Sequence, residues 1–277
     1  MTTPPSTQRG VSGLRIGVAA IVLAVVAAGA FGLWYVFFRP SGPAAVGDAS
    51  LVIPSSSAAS TSTTGASPTA DASPGSPSAG SSSSGSSSAP LTGGIDGTWN
   101  VDTSIGSFDD FSDSFVGYRV QEQLASVGGN TAVGRTPDVS GSLTIAGTKV
   151  TAATIEANLT TLKSDDDRRD GQLSRQGLET STYPTATFTL TSPIDLGSVP
   201  ADGAKITITA NGQLNLHGQT KDVQIPLTAT LSGNTIVVAG STEITFADYG
   251  ITKPNSFAVL SIADTGTLEL HIFFTKA

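Results

Sequence analysis

Three patterns of apolar and polar positions follow one another along the chain. From Ile16 to Phe38 stand 23 consecutive residues without a charge, closing on Phe31, Leu33, Trp34, Tyr35, Val36, Phe37 and Phe38. As a helix this run is roughly 34 Å long, enough to cross a hydrocarbon core of about 30 Å. Trp34 and Tyr35 suit a headgroup interface at one end of it. Between Pro40 and Gly94 no period survives. Ser fills 18 of the 50 positions from Ser41 to Pro90, only Asp48 and Asp71 are charged, and no aromatic residue occurs. Such a stretch cannot bury enough apolar surface to offset its ordering entropy, which predicts a disordered linker. From Ile95 onward apolar residues recur at every second position: Val116, Tyr118, Val120; Ala186, Phe188, Leu190; Ile206, Ile208, Ala210; Val223 through Leu231; Leu268, Leu270, Ile272, Phe274. This alternation predicts antiparallel strands with two unlike faces.

Turn residues punctuate those strands. Gly128-Gly129-Asn130, Ala146-Gly147-Thr148, Gly218-Gln219-Thr220 and Ser232-Gly233-Asn234 all supply positions tolerant of positive φ. Many short strands at this spacing predict a sandwich or a barrel. One interruption reads as helical: Ser164 followed by Asp165, Asp166 and Asp167 resembles a capping box with anions in the first turn, and Gly177 can terminate the helix. The expected helix runs from about Asp165 to Gln176. The chain therefore divides into an amino-terminal stretch 1–15, a transmembrane helix 16–38, a linker 39–94 and a folded domain 95–277.

Composition narrows the chemistry. Lys and Arg total 14 against 22 Asp and Glu, a net charge of −8, which excludes a generic nucleic-acid surface. The first 94 residues hold Arg9, Arg15, Arg39, Asp48 and Asp71, so the folded segment itself carries −9. Cysteine is absent, and with it disulfides, thiolate nucleophiles, zinc ribbons and lipidation through sulfur. Arg9 and Arg15 precede the apolar run and Arg39 alone follows closely, a bias that puts the amino terminus in the cytoplasm and the rest outside. The rival reading is a signal peptide cut near Ala28-Gly29-Ala30, which would release a secreted domain. The apolar run continues past that point to Phe38, which favours the anchor. As free coil, the 57 residues from Pro40 to Asp96 would reach about 40 Å.

Three blocks in the folded segment carry a family resemblance. Trp99-Asn100-Val101-Asp102 opens a first strand; Arg169-Asp170 with Leu173 precedes Tyr183-Pro184-Thr185-Ala186-Thr187-Phe188; and Gly212-Gln213-Leu214-Asn215-Leu216-His217-Gly218-Gln219-Thr220-Lys221 forms a hairpin. In order and spacing these resemble the YceI-like domain. The resemblance implies an all-β, lipocalin-like, eight-stranded antiparallel barrel with a short helical insert, holding a long isoprenoid lipid or quinone tail in its interior. It covers the third segment and neither of the first two. Two features depart from the family's habit: no His follows Phe115 in Phe115-Val116-Gly117-Tyr118-Arg119-Val120, and Gly177-Leu178 stands where an aromatic pair is expected.

On this reading Val116, Tyr118, Val120, Phe188, Phe246 and Tyr249 are the candidate ligand-binding residues, Trp99 closes the barrel base, and no cofactor or metal is required. His217 is expected to be a solvated turn residue, and His271, alternating with Leu270 and Ile272, to face outward and be exposed. Asp166, Arg168, Asp170 and Gly171 mimic part of a calcium loop, but Arg168 occupies a ligand position and no Glu closes it, so a helix start explains the run better. Arg169 and Asp170 are expected to fasten the insert to the barrel. Asn158-Leu159-Thr160 fits a glycosylation sequon inside a strand pattern. The function expected is a non-enzymatic, membrane-tethered, extracytoplasmic carrier or sequestering protein for an isoprenoid lipid or quinone. The alternatives are a filled barrel serving as a surface protein-interaction module and, third, a hydrolase using the carboxylates of Asp109, Asp110 and Asp113.

Overall fold

A computed structural model describes residues 43–47, 94–125, 128–254 and 259–277. Among these no helix is long and apolar enough to cross a membrane; the helix expected over 16–38 lies outside them, as do linker residues 48–93.

The alternating segments form one antiparallel sheet that closes on itself. Its strands are β1 (Gly97–Asp102), β2 (Phe115–Leu124), β3 (Gly128–Thr136), β4 (Val139–Ala146), β5 (Lys149–Asn158), β6 (Lys163–Ser164), β7 (Thr185–Leu190), β8 (Ile194–Asp195), β9 (Lys205–Leu216), β10 (Gln219–Ser232), β11 (Thr235–Thr245), β12 (Val259–Ile262) and β13 (Thr265–Lys276). Several are halves of one longer stave. β1 and β2 both pair with β13, β1 through Asp102↔Phe273 and β2 through Phe115↔His271, with residues 103–114 looping out between them. β3 and β4 likewise share a line broken at Pro137, and β5 continues into β6 past a single 3₁₀ turn, Leu159–Thr161. Counted this way eight staves run β1/β2, β3/β4, β5/β6, β7, β9, β10, β11, β13, and β13 pairs back to β1, so the barrel is closed. The expected all-β, eight-stranded antiparallel barrel with one short helix is what the structure shows.

Register places the alternating apolar residues on the inner face. Leu268↔Tyr118, Leu270↔Val116, Val238↔Ile272 and Ala229↔Val238 are direct partners, and directly opposed side chains share a face. They collect into two clusters, one at each end of the barrel. The first holds Trp99, Leu143, Ile145, Val150, Leu231, Ile236, Ile272 and Phe274. Trp99 is fully buried and its indole N–H donates to the Ile95 carbonyl at 2.9 Å, so the base is closed as expected. Each such large side chain removed from water contributes about 1.5–3 kcal/mol. The second cluster holds Leu159, Leu178, Leu214, Leu216, Ile244 and Tyr249.

The helix is shorter than its sequence suggests and begins later. α1 spans Asp167–Gln172, and its cap is Asp166, extended at φ −141°, whose carboxylate accepts from the Arg168 and Arg169 N–H groups. Ser164 belongs to β6 instead, and its N–H and hydroxyl donate to the Asp170 carboxylate. The expected continuation to Gln176 becomes a π-helical turn, Leu173–Gly177, because the Leu178 N–H bonds the Leu173 carbonyl, five residues back. Two turns are displaced as well. Gly128-Gly129-Asn130 already lies in β3, and the β9–β10 turn is His217-Gly218, with φ of 52° and 72°, the two-residue geometry that matches strand twist.

Candidate functional site

The barrel interior is built on glycines. Gly134, Gly212, Gly240 and Gly266 face inward by register, opposite Tyr118, Leu190, Leu227 and Ile244. Each has a large side chain lying where its own Cβ would be. A Cβ on Gly134 would stand 2.4 Å from the Tyr118 ring, one on Gly212 2.4 Å from the Phe188 ring, one on Gly240 2.5 Å from Leu227 Cδ2, and one on Gly266 2.9 Å from the Phe246 ring. Glycine lets these groups lie flat against the wall instead of crossing the lumen. The consequence shows in accessibility: Val116, Tyr118, Val120, Ile155, Phe188, Leu190, Leu227, Leu268 and Leu270 all point inward yet are only half-buried, whereas the residues of the base are buried. Inward side chains of a closed barrel keep accessibility only if the lumen between them is not filled.

The waist is apolar, but its β2–β3 end carries a polar group. Glu122, inward on β2 opposite Asn130, is 8 % exposed. It accepts from Asn130 Nδ2 at 2.6 Å and from Arg169 Nη2 of α1 at 2.8 Å. Burial opposes the charge on Arg169, but Glu122 and Asp165 outweigh it and hold the guanidinium more firmly protonated than usual. Arg169 thus fastens the insert to the barrel, as expected, while Asp170 ties α1 to Ser164. The Tyr118 phenol lies in the field of this cluster. Burial, opposed by Arg169 and reinforced by Asp170, Glu122 and Asp165, raises its pKa, so it stays a protonated donor. Its Oη is buried without a hydrogen-bond partner among the described residues. An orphaned donor in an apolar lumen, next to a cation, fits an oxygen of a guest molecule.

Of the six predicted site residues, five share this lumen. Val116, Tyr118 and Val120 line β2's inner face, Phe188 covers Gly212, and Phe246 covers Gly266 with Val120 Cγ2 beside it. Tyr249 stands apart: it is 2 % exposed, packed in the second cluster, where it helps close that end. The four wall glycines went unnoticed in the sequence. Their signal is a Gly on the apolar phase of an alternating strand, as in Ala210-Asn211-Gly212-Gln213-Leu214.

Both histidines differ from expectation. His217 is buried, not a solvated turn residue: one ring nitrogen meets the Tyr249 carbonyl at 3.0 Å, the other Glu179 Oε2 at 3.1 Å, and Tyr183 packs on the ring at 4.4 Å. His271 does face outward, but it is 1 % exposed because the 103–114 loop covers it; Nδ1 lies 2.7 Å from the Asp113 carbonyl and the ring sits between Phe115 and Phe273. That loop also disperses the acidic trio. Asp113 is buried, with one carboxylate oxygen lacking a hydrogen-bond partner among the described residues, while Asp109 and Asp110 lie in the exposed turn. Asn158 spends its amide on Asp138 Oδ2 at 2.7 Å and caps the 3₁₀ turn. No group of three His, Asp or Glu among the described residues stands close enough to hold a metal ion.

Comparison with known proteins agrees with this architecture. The profile of the YceI-like domain family matches residues 99–274. A polyisoprenoid-binding domain from Saccharophagus degradans, implicated in plant cell wall breakdown, superimposes with a TM-score of 0.51 at 22 % identity, covering 65 % of this chain and 99 % of that one. BcnA from Burkholderia cenocepacia gives a TM-score of 0.45 at 21 % identity over 58 % of this chain and 95 % of its own. A YceI protein of Campylobacter jejuni gives 0.44 at 15 % identity, covering 52 % and 84 % respectively. No curated protein matches the sequence.

Proposed function

The chain belongs to the YceI-like domain family, and from that premise we propose that its barrel binds a long polyisoprenoid chain, free or as a quinone tail, and carries or sequesters it without catalysis. The observation that carries this reading is the waist lined by half-buried Val116, Tyr118, Phe188, Leu227, Leu268 and Leu270, held open by aromatic groups laid over glycines. A narrow apolar chain fits such a space, and the buried Tyr118 Oη with Arg169 beside it suits an oxygen at the chain's polar end. The Saccharophagus domain, whose fold this one shares, is itself a polyisoprenoid-binding domain.

Burying lipid from water contributes about 0.8 kcal/mol per methylene, but a lipid leaving a bilayer gains little of this. Exchange near equilibrium suits carriage more than permanent storage. The apolar run Ile16–Phe38 supports a single-pass anchor with the barrel outside the cytoplasm, and cleavage near Ala30 would instead release it. Such an anchor offsets the repulsion between an acidic domain and an anionic lipid surface. The alternative of a filled barrel that only binds other proteins gains nothing from inward side chains that keep their accessibility.

The test is to purify the full chain in detergent and identify co-purifying lipid by mass spectrometry, then to titrate a fluorescent isoprenoid into delipidated protein. Saturable uptake supports the reading; repeated isolation empty, with no uptake, sinks it. Fractionation of cells into membrane and medium decides separately between an anchor and a secreted domain.

A further inference from the structure

Glu269 lies on the outer face of β13, where a carboxylate ordinarily meets water, yet it is 2 % exposed. Arg119 of β2 and Arg135 of β3 flank it, with nitrogen–oxygen distances of 2.9 and 2.7 Å. Arg135 is also packed against the rings of Phe111 and Phe115, its guanidinium carbon 4.6 and 4.2 Å from their centroids. Two guanidiniums against one carboxylate leave a net positive charge and spare N–H donors, which burial makes costly unless they are met.

A segment distant in sequence meets them. Arg119 Nη2 donates to the Pro43 carbonyl, Arg135 Nη2 donates to the Ala44 carbonyl at 2.7 Å, and the Val46 N–H donates to Glu269 Oε2 at 3.4 Å. All three contacts are to main-chain atoms. The five residues Pro43-Ala44-Ala45-Val46-Gly47 are small or compact, and Pro43 and Val46 are half-buried on the barrel wall. At the other end of the serine-rich stretch, Lys276 Nζ donates to the Gly94 carbonyl at 2.8 Å and Ile95 is buried in the base.

We propose that the Arg119–Glu269–Arg135 triad is a docking site for the chain's own Pro43–Gly47 segment, which it holds through main-chain atoms. Being covalently attached, this segment has a high effective concentration at the triad and outcompetes other extended chains.

Hydrogen exchange on the full chain in lipid nanodiscs tests the docking. The Val46 amide is expected to exchange at least tenfold more slowly than its intrinsic rate, and Arg119→Met to restore that rate while the barrel strands stay protected. Exchange at the intrinsic rate in the unaltered chain overturns the proposal, whether or not the variant folds. Because the chain has no cysteine, Ala45→Cys accepts a single benzophenone label. Cross-links to β2, β3 or β13 peptides support docking, and their absence overturns it.

Discussion

The wall glycines tie single residues to the state of the lumen. At Gly134 a methyl group would meet the Tyr118 ring 2.4 Å away, too close for either to stay put. Gly134→Ala is expected to cost about 1–3 kcal/mol in denaturant unfolding, the usual penalty for forced overpacking, and to turn the phenol into the lumen, weakening isoprenoid uptake beyond what the stability loss explains. Asp113 ties the stability of the fold to pH. Burial, aided by Asp110 and opposed by its own backbone N–H and by Arg135, lifts its pKa from 3.8 to about 6. The fold therefore prefers the neutral acid: its stabilising contribution is complete below pH 3.8 and is lost as pH rises to about 6. Asp113→Asn, a neutral mimic, should melt together with the unaltered protein near pH 3.5 and above it at pH 7.5. With screening by water allowed for, the gain is of order 1 kcal/mol, or about 2–4 °C in a domain of this size. Equal melting temperatures at pH 7.5 would contradict it. Nothing in Asp109-Asp110-Phe111-Ser112-Asp113 separates the buried acid from its solvated neighbours, because the difference comes from β13 and His271, more than 150 residues away.

At the scale of elements, α1 is held by charge as much as by propensity. Its six residues are too few to be stable alone, and Gly171 weakens them further. Removing Arg169 leaves Glu122 buried with a single amide donor. Arg169→Met is expected to cost about 1–3 kcal/mol, less than a fully buried pair would, and the double variant with Glu122→Leu to recover most of it. Denaturant titration of the three proteins checks this, and additive losses would show that the pair is not coupled. β2, β7, β9, β10 and β13 were legible because each carries its own period-two signal, and the register of β9, β10 and β13 repeats the phase read from Ile206, Val223 and Leu268, whereas β3 with its glycines and β11 with its apolar run Ile236–Ala239 show no clean alternation. The helix bounds were less legible because Ser164 and Asp166 are both competent caps, and the choice between them depends on the pairing of Ser164 with Gly134 of β3. The burial of His217 was hidden for a similar reason: a positive φ in a two-residue turn reads as solvent-exposed until Glu179, Tyr183 and Tyr249 arrive from other elements.

For the whole molecule the decisive quantity is the space between the two end clusters, since it separates a lipid-binding barrel from a merely structural one. In a filled core, enlarging a side chain strains its neighbours and lowers stability by about 1–3 kcal/mol. Where a lumen is open, the same change fills space at little cost and displaces the guest. Leu270 is suited to this test, being inward, half-buried and opposite both Val116 and Gly240 in the waist. Leu270→Trp is expected to leave the unfolding free energy of delipidated protein within about 0.5 kcal/mol of the parent, the range of unstrained substitutions. It should also abolish isoprenoid uptake. The parent, by contrast, should gain stability with ligand as RT ln(1 + [L]/Kd), about 2.7 kcal/mol at a hundredfold excess over Kd, and the variant should gain none. A variant that unfolds readily when empty would mean that the waist is packed, and the lipid reading would fall with it.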